Sequence, residues 1–248
     1  MDDDRLLEVL HEAADAISAV LDPLDDWGLA GTRSGQYHSD LAADAAALSV
    51  LIGAGLGVLS EESGFHHGDR PVLVVLDPVD GSTNAAYGLP WYASSLCAVD
   101  HAGARAAVVV NQSSGVRYEA VRGGGARCDG ESISPSKCVA LGDALVGLSG
   151  LPPHHLGWSQ FRALGAVALD LCAVAAGLLD GYVDCSVDAH ASWDYLGGML
   201  VCQEAGAVVV DALDRDLDVR SSTERRTPLA AGTPQLLVAL HRERATFD

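Results

Sequence analysis

Apolar positions recur over residues 5–21 as Leu6, Leu10, Ala13, Ile17 and Val20, the three-to-four spacing of an amphipathic helix. A loop rich in glycine and turn residues, DPLDDWGLAGTRSGQ, breaks the pattern. From Ser39 the alanine-rich run DLAADAAALSVLIGAG predicts a second helix. At 72–76 the period disappears: VLVVL is an unbroken apolar run of strand length. Short β-like runs follow at 94–99, 105–110 and 116–121, and RGGGARCDGESISPSK reads as turns leading to a hinge.

Beyond this point helical and strand patterns alternate. FRALGAVALDLCAVAAGLLDG predicts a buried helix, YVDCSV a strand, WDYLGGMLVCQEAG a helix and AVVVDA a strand. PLAAGTPQLLVALHRER then gives a strand end and a closing helix. A meander followed by alternation predicts an α/β architecture in two lobes, an α+β lobe over 1–138 and an α/β lobe over 139–248.

Charge narrows the partners. The 248 residues carry 34 acidic and 15 basic side chains, a formal net charge of −19, with 49% hydrophobic residues to fill a core. So acidic a chain repels nucleic acid and anionic membrane surfaces, and neither is expected as a partner. It also repels a phosphorylated metabolite unless bound cations reverse the field locally. No window reaches the apolar length of a membrane span. The acidic start MDDDRLLEVL lacks the basic region of an export signal, so a cytoplasmic location is expected. Six cysteines without a CxxC pairing fit buried thiols in a reducing compartment.

The chemistry concentrates in VLVVLDPVDGSTNAAYGLP, residues 72–90. Asp77 falls where the apolar strand ends, a common place for ligands in α/β sheets. Pro78 is expected to stop the strand and free the Val79 carbonyl, and Asp80 lies close enough for both carboxylates to face one point. Two uncompensated carboxylates so close raise one pKa sharply or demand a cation. Mg²⁺ suits them, being hard, oxygen-seeking and completed by waters and phosphate. Gly81, Ser82, Thr83 and Asn84 supply close approach, two hydroxyls and backbone N–H groups for a phosphate. Taken singly, the Asp-Pro-x-Asp-Gly string also reads as a capped turn, and SEESG at 60–64 as a solvated acidic loop.

Three ordered strings together resemble the inositol monophosphatase superfamily, which includes fructose bisphosphatases and nucleotide-phosphate phosphatases. Glu61-Glu62 is similar to its EE segment and Asp77–Asn84 to its D-P-[ILV]-D-G-[ST]-[ST]-N segment. Trp193-Asp194 with Glu204-Ala205-Gly206 is similar to its W-D…E-A-G segment. The resemblance implies a layered αβαβα sugar-phosphatase fold with the site between the lobes. It further implies that Glu61, Asp77 and the Val79 carbonyl hold a first metal, and Asp77, Asp80 and Asp194 a second. A third, weaker ion would lean on Glu61, giving two or three Mg²⁺ in all. Gly81 and Ser82 would hold phosphate, with Thr83, Asp184 and Asp194 completing the substrate contacts. Asp40 with Ser82 would polarise the attacking water. Asp44, on the same helix face, is the rival, and the distance from Asp40 to Glu61 fits better.

Several positions depart from that pattern and bear on substrate: Ala85, Tyr37, Ala207, and a longer gap before Trp193 that brings in Asp188 and His190. Asp170 reads as a structural carboxylate, and Trp27, Trp91 and Trp158 as packing or loop-edge residues. His66-His67 and His154-His155 read as exposed pairs, and Glu204 as structural. The expected function is a Mg²⁺-dependent phosphomonoesterase acting on a small polyol or sugar phosphate, inositol monophosphate by default. Histidinol phosphate, fructose bisphosphate and a 3′-phosphoadenosine nucleotide are alternatives within the same chemistry, and a non-catalytic metal- or phosphate-binding protein is the alternative from another class. The resemblance also implies a homodimer and inhibition by lithium.

Overall fold

The computed structural model describes residues 1–32 and 35–247. Helix α1 (Asp3–Leu21) is capped by Asp2, whose side chain accepts the Arg5 N–H, and it buries Leu6, Val9, Leu10, Ala13, Ile17 and Leu21 along one face. That stripe packs on α2 (His38–Gly53), and both cover one face of an eight-stranded sheet. Its strands are β1 (Gly57–Ser60), β2 (Gly64–His66), β3 (Leu73–Asp80), β4 (Ala93–Asp100), β5 (Gly103–Asn111), β6 (Arg117–Val121), β7 (Gly125–Cys128) and β8 (Glu131–Ser132), in the order β2-β1-β3-β4-β5-β6-β7-β8. Only β1 and β3 run parallel; the other neighbours are antiparallel. Strand β3 is buried throughout. Its Val74 and Leu76 meet the two helices, while Leu73 and Val75 face the opposite core. Burial on both faces explains the unbroken apolar run.

The second sheet has the order β10-β9-β11-β13-β12. Its strands are β9 (Leu145–Ser149), β10 (Gln160–Arg162), β11 (Gly181–Asp184), β12 (Val208–Asp211) and β13 (Pro228–Ala231). Helices α4 (Val167–Ala175) and α5 (Ser192–Ala205) lie between the sheets, and α6 (Pro234–Arg244) covers the outer face of the second through Leu236, Leu237 and Leu240. The result is five alternating layers, the layered α/β fold expected. Every residue of α4 is buried, as a helix between two sheets requires. Glycines let α5 sink between its neighbours. A Cβ at Gly198 would sit 2.7 Å from the Leu171 Cβ and 2.8 Å from the Ala168 carbonyl. Among the described residues no helix is long and apolar enough to cross a membrane.

Three expectations need correcting. Pro78 does not stop β3, which continues to Asp80 through a bulge: Asp77 pairs with Ser95 and Asp80 with Ala93. The extra residue leaves the missing Pro78 N–H without a ladder partner to miss, and the Pro78 carbonyl accepts the Ser94 hydroxyl at 2.6 Å. The glycine-rich stretch after Val121 is not only turns, because β7 and β8 extend the sheet there. The buried helix of the second half is confined to Val167–Ala175: Gln160–Arg162 forms an edge strand, and Gly165 (φ +88°) and Gly177 (φ +71°) set the turns on either side.

Candidate active site

The sheet topology gathers four carboxylates. Glu61 follows β1, and its N–H continues the parallel ladder to the Leu76 carbonyl at 3.0 Å. Asp77 enters the bulge of β3 and its Oδ1 accepts the Val79 N–H at 3.0 Å. Asp80 leaves the bulge, and its Oδ2 accepts the Ala168 N–H in the first turn of α4 at 2.7 Å. Asp194, third residue of α5, reaches back to accept the Ala191 N–H at 2.8 Å. Glu61, Asp77 and Asp194 each offer an oxygen within 4.8 Å of the others. Asp80 borders this group rather than joining it.

The group is electrostatically strained. Burial, then the charges of Asp194 and Glu62, push the Glu61 carboxyl up to about 8. Asp77 is pushed well above its usual range by burial and by Glu61 and Asp80, and Asp80 by burial and by Asp194. Oxygen-only donors that resist ionising together fit a hard divalent cation, which restores their charged forms.

The cluster lines a cleft of about 260 Å³ with Val79, Gly81, Ser82, Ser149, Gly165, Ala166, Val167, Asp170 and His190. The Val79 carbonyl accepts the Ser82 hydroxyl at 2.8 Å. Gly81 precedes the short helix α3 (Ser82–Ala86) at φ +87°, and a Cβ there would lie 3.1 Å from the Gly165 carbonyl. Asn84 fastens this wall by donating to the Trp91 and Leu164 carbonyls, both at 2.7 Å. Thr83 is exposed outside the cleft, its hydroxyl 3.3 Å from that of Tyr37.

A second cleft of about 460 Å³ shares Glu61 and Ser82 and adds Asp40, Glu62, Trp193 and Arg225. Asp40 is buried there. Its Oδ2 accepts the Tyr37 N–H at 2.8 Å and its Oδ1 the Ser39 hydroxyl at 3.2 Å. Asp44 lies one turn deeper, lines neither cleft, and accepts at 2.5 Å the hydroxyl of Ser60, a residue of the second cleft's wall. The two rivals thus occupy different settings: Asp40 faces the cleft and Asp44 braces β1.

Asp184 is fully buried at the end of β11 and does not line either cleft. Its Oδ2 lies 3.5 Å from His190 Nε2, and burial pushes its carboxyl up to about 6. His190 stands between it and the cluster, with Nδ1 3.4 Å from Asp194 Oδ2 and Nε2 3.2 Å from the Ser149 hydroxyl. Burial opposes protonation of His190, but the bond and charge of Asp194, with Asp184 and Asp80, hold its pKa above the ordinary value. Asp188 turns away to pair with Arg215 at 2.7 Å.

The residue reading passed over Ser149, Arg225 and the lining role of Asp170. Arg225 stacks 5.2 Å from the centre of the Trp193 ring. None sits in a motif; Ser149 ends β9 and Arg225 comes from the connection between β12 and β13, and only the fold brings them in, while Asp170 stood one helical turn beyond Val167. Trp91 is more than packing, since its indole donates to Asp170 at 2.9 Å. Elsewhere, Glu204 accepts the Gly123 and Gly125 N–H groups as a structural residue does; of the histidine pair, His67 is exposed but His66 is half-buried, 2.8 Å from the Ser63 hydroxyl. A larger cleft of about 510 Å³ near Arg122 and Arg215 contains none of the candidate residues.

Five layers with an acidic cleft on their seam define a sugar-phosphatase-type α/β protein. The chain belongs to the inositol monophosphatase family of phosphoric monoester hydrolases, whose model matches residues 53–245. The fructose-1,6-bisphosphatase of Pyrococcus furiosus is 30% identical over 201 residues, covering 80% of this chain and 79% of that one. An inositol-1-monophosphatase of Mesorhizobium japonicum is 34% identical over 63% of this chain and 64% of its own, and the Nus factor SuhB of Pasteurella multocida 32% identical over 62% of each. The chain therefore spans under two thirds of the latter two relatives. Among solved structures, the extragenic suppressor protein SuhB of Bartonella henselae is 27% identical with a TM-score of 0.81, covering 97% of this chain and 99% of that one. The Anabaena inositol monophosphatase, 24% identical with a TM-score of 0.82 and covering 99% and 97%, shares the fold.

Proposed function

We propose that the chain is a Mg²⁺-dependent phosphomonoesterase for a small polyol or sugar phosphate, with inositol monophosphate the default substrate. The observation that carries this reading is the meeting of Glu61, Asp77 and Asp194 within 4.8 Å, with Asp80 at its border. Glu61, Asp77, the Val79 carbonyl, Asp80 and Asp194 would hold two or three ions. Mg²⁺ bound there would supply charge neutralisation for the phosphoryl oxygens and acidify a water.

The remaining steps belong to the chain. Asp40 would accept a proton from the attacking water, oriented with the Ser82 hydroxyl. Gly81 leaves room for the phosphoryl group beside the Gly165 and Ala166 wall, with Ser82 as a further candidate contact and Thr83 standing outside the cleft. His190, backed by Asp184, orients Asp194 and faces the departing alcohol. The nine acidic and basic groups named in the two clefts include one permanent cation, Arg225, so a phosphate would rely on bound metal for most of its attraction. Fructose bisphosphate is the second reading, favoured by Arg225 as a candidate partner for another phosphate and by the name of the Pyrococcus relative. A homodimer, lithium inhibition and a cytoplasmic location go with the reading.

The test is phosphate release from inositol, sugar, histidinol and nucleotide phosphates with and without Mg²⁺. A metal-dependent preference for a polyol monophosphate supports the proposal. Silence across the panel with metal bound would move the assignment to the non-catalytic alternative.

A further inference from the structure

Asp170 stands one turn along α4 from Val167 and is 1% exposed. A carboxylate so enclosed is costly unless both oxygens find donors. The Trp91 indole supplies one, at 2.9 Å from Oδ1. No described residue donates to Oδ2. Yet Oδ2 is not among the side-chain atoms sealed from solvent without a partner, and the space Asp170 lines is the catalytic cleft. Nor does Asp170 belong to the group of three carboxylates. It is a separate acceptor in the same cavity, beside the small residues Gly165, Ala166 and Val167.

We propose that Asp170 is a specificity-determining residue on the alcohol side of the cleft, its Oδ2 accepting a hydrogen bond from a substrate hydroxyl near the ester. This deepens, and rests on, the phosphatase reading above. The chain then selects phosphate esters whose alcohol carries a neighbouring hydroxyl, because an ester lacking it leaves a buried acceptor unpaired. Trp91 fixes the polarity of the contact. An indole nitrogen only donates, so the atom facing it must be an acceptor and the outward oxygen is left for the ligand. An amide at this position has to turn its carbonyl to Trp91 and present its NH₂ to the cleft. Asp170→Asn therefore replaces the acceptor met by substrate with a donor, at nearly constant shape.

The experiment compares myo-inositol 1-phosphate, which has hydroxyls beside the ester, with phenyl phosphate, which has none. In Asp170→Asn, the ratio of kcat/KM for the inositol ester to that for phenyl phosphate falls at least tenfold, mainly through KM. An unchanged ratio, whether both rates fall or neither does, overturns the proposal. Adding Trp91→Phe frees the amide to turn, and the double variant regains part of the lost preference; a purely structural Asp170 gives no such recovery. A wild-type chain that hydrolyses neither ester fails the phosphatase reading, and calorimetry with Ca²⁺ in place of Mg²⁺ then decides this one. Wild type binding the inositol ester more tightly than phenyl phosphate, with the preference lost in Asp170→Asn, supports it; equal affinities overturn it. An amino-alcohol phosphate preferred over the inositol ester would overturn the hydroxyl as the donor and put an ammonium there.

Discussion

Asp80, at the end of a strand in the first sheet, accepts the backbone N–H of Ala168 in the first turn of α4 at 2.7 Å. One carboxylate thus borders the acidic cluster and joins the two halves of the chain. The two roles separate on substitution. In Asp80→Asn the amide oxygen still accepts the Ala168 N–H, while a charge among repelling carboxylates is removed. The metal-free variant should melt at or above the wild-type temperature. Turnover should fall at least ~100-fold, the equivalent of about 3 kcal/mol of transition-state stabilisation. Phosphate release and thermal melting on the same preparation check both; near-normal turnover would sink the metal assignment.

Metal-free protein should lose stability as pH rises through the neutral range. Glu61 is raised to about 8, and Asp77 and Asp80 are raised as well, chiefly by burial. In the unfolded chain these groups ionise near pH 4. Between about pH 4.5 and 8 the folded state therefore binds more protons than the unfolded state, and stability falls with rising pH. Asp100 and Asp211 are lowered and act in the opposite sense only below this window. Melting in EDTA at pH 5, 6.5 and 8 should show the midpoint dropping by several degrees. Mg²⁺ should restore most of it at pH 8, because a ligand binding only the folded state stabilises it. A metal-free midpoint that climbs over this range would contradict the burial of uncompensated carboxylates.

Asp40 and Asp44 can be told apart by what each touches. Asp40→Asn keeps an acceptor for the Tyr37 N–H but loses the charge facing the second cleft. A general base removed in this way costs on the order of 10²–10⁴-fold, so kcat should fall within that range at unchanged melting temperature. Asp44→Asn keeps an acceptor for Ser60 and alters no side chain that lines either cleft. Its kcat should stay within about threefold of wild type. The reverse pattern would transfer the base to Asp44.

Much of this site was legible because its residues lie within short strings whose order follows the fold. Glu61, Asp77, Asp80 and Asp194 each sit just beside a strand end, in a bulge or in a first helical turn, so local sequence carries their position. The α1 stripe was equally readable, because one face is buried and the other solvated. What escaped were features with no period. Helix α4 is enclosed by two sheets and reads apolar almost all round, so its limits come from Gly165 and Gly177 rather than pattern. Pro78 looked like a strand terminator because sequence does not reveal a bulge. Asp170 looked structural because the cleft it lines is shared with Gly81, Ser149 and His190, which come from distant parts of the chain.

Gly198 links this packing to the chemistry. It lies on α5 four residues after Asp194, where a Cβ would press on the Leu171 side chain at 2.7 Å and the Ala168 carbonyl at 2.8 Å. Neither neighbour is the free end of a flexible chain. Gly198→Ala gains helix propensity, up to about 1 kcal/mol, but overpacking of a closed core costs about 1–3 kcal/mol. The net effect should be a lower melting temperature. Relief requires α5 to move from α4, and Ala168 is the residue whose N–H Asp80 holds, so the distance between Asp80 and Asp194 should change with it. Turnover should therefore fall more than the folded fraction alone explains, with a raised Mg²⁺ requirement. Titrating Mg²⁺ against activity at a temperature where the variant is fully folded checks this; wild-type metal dependence would show that α5 accommodates the methyl group without moving Asp194.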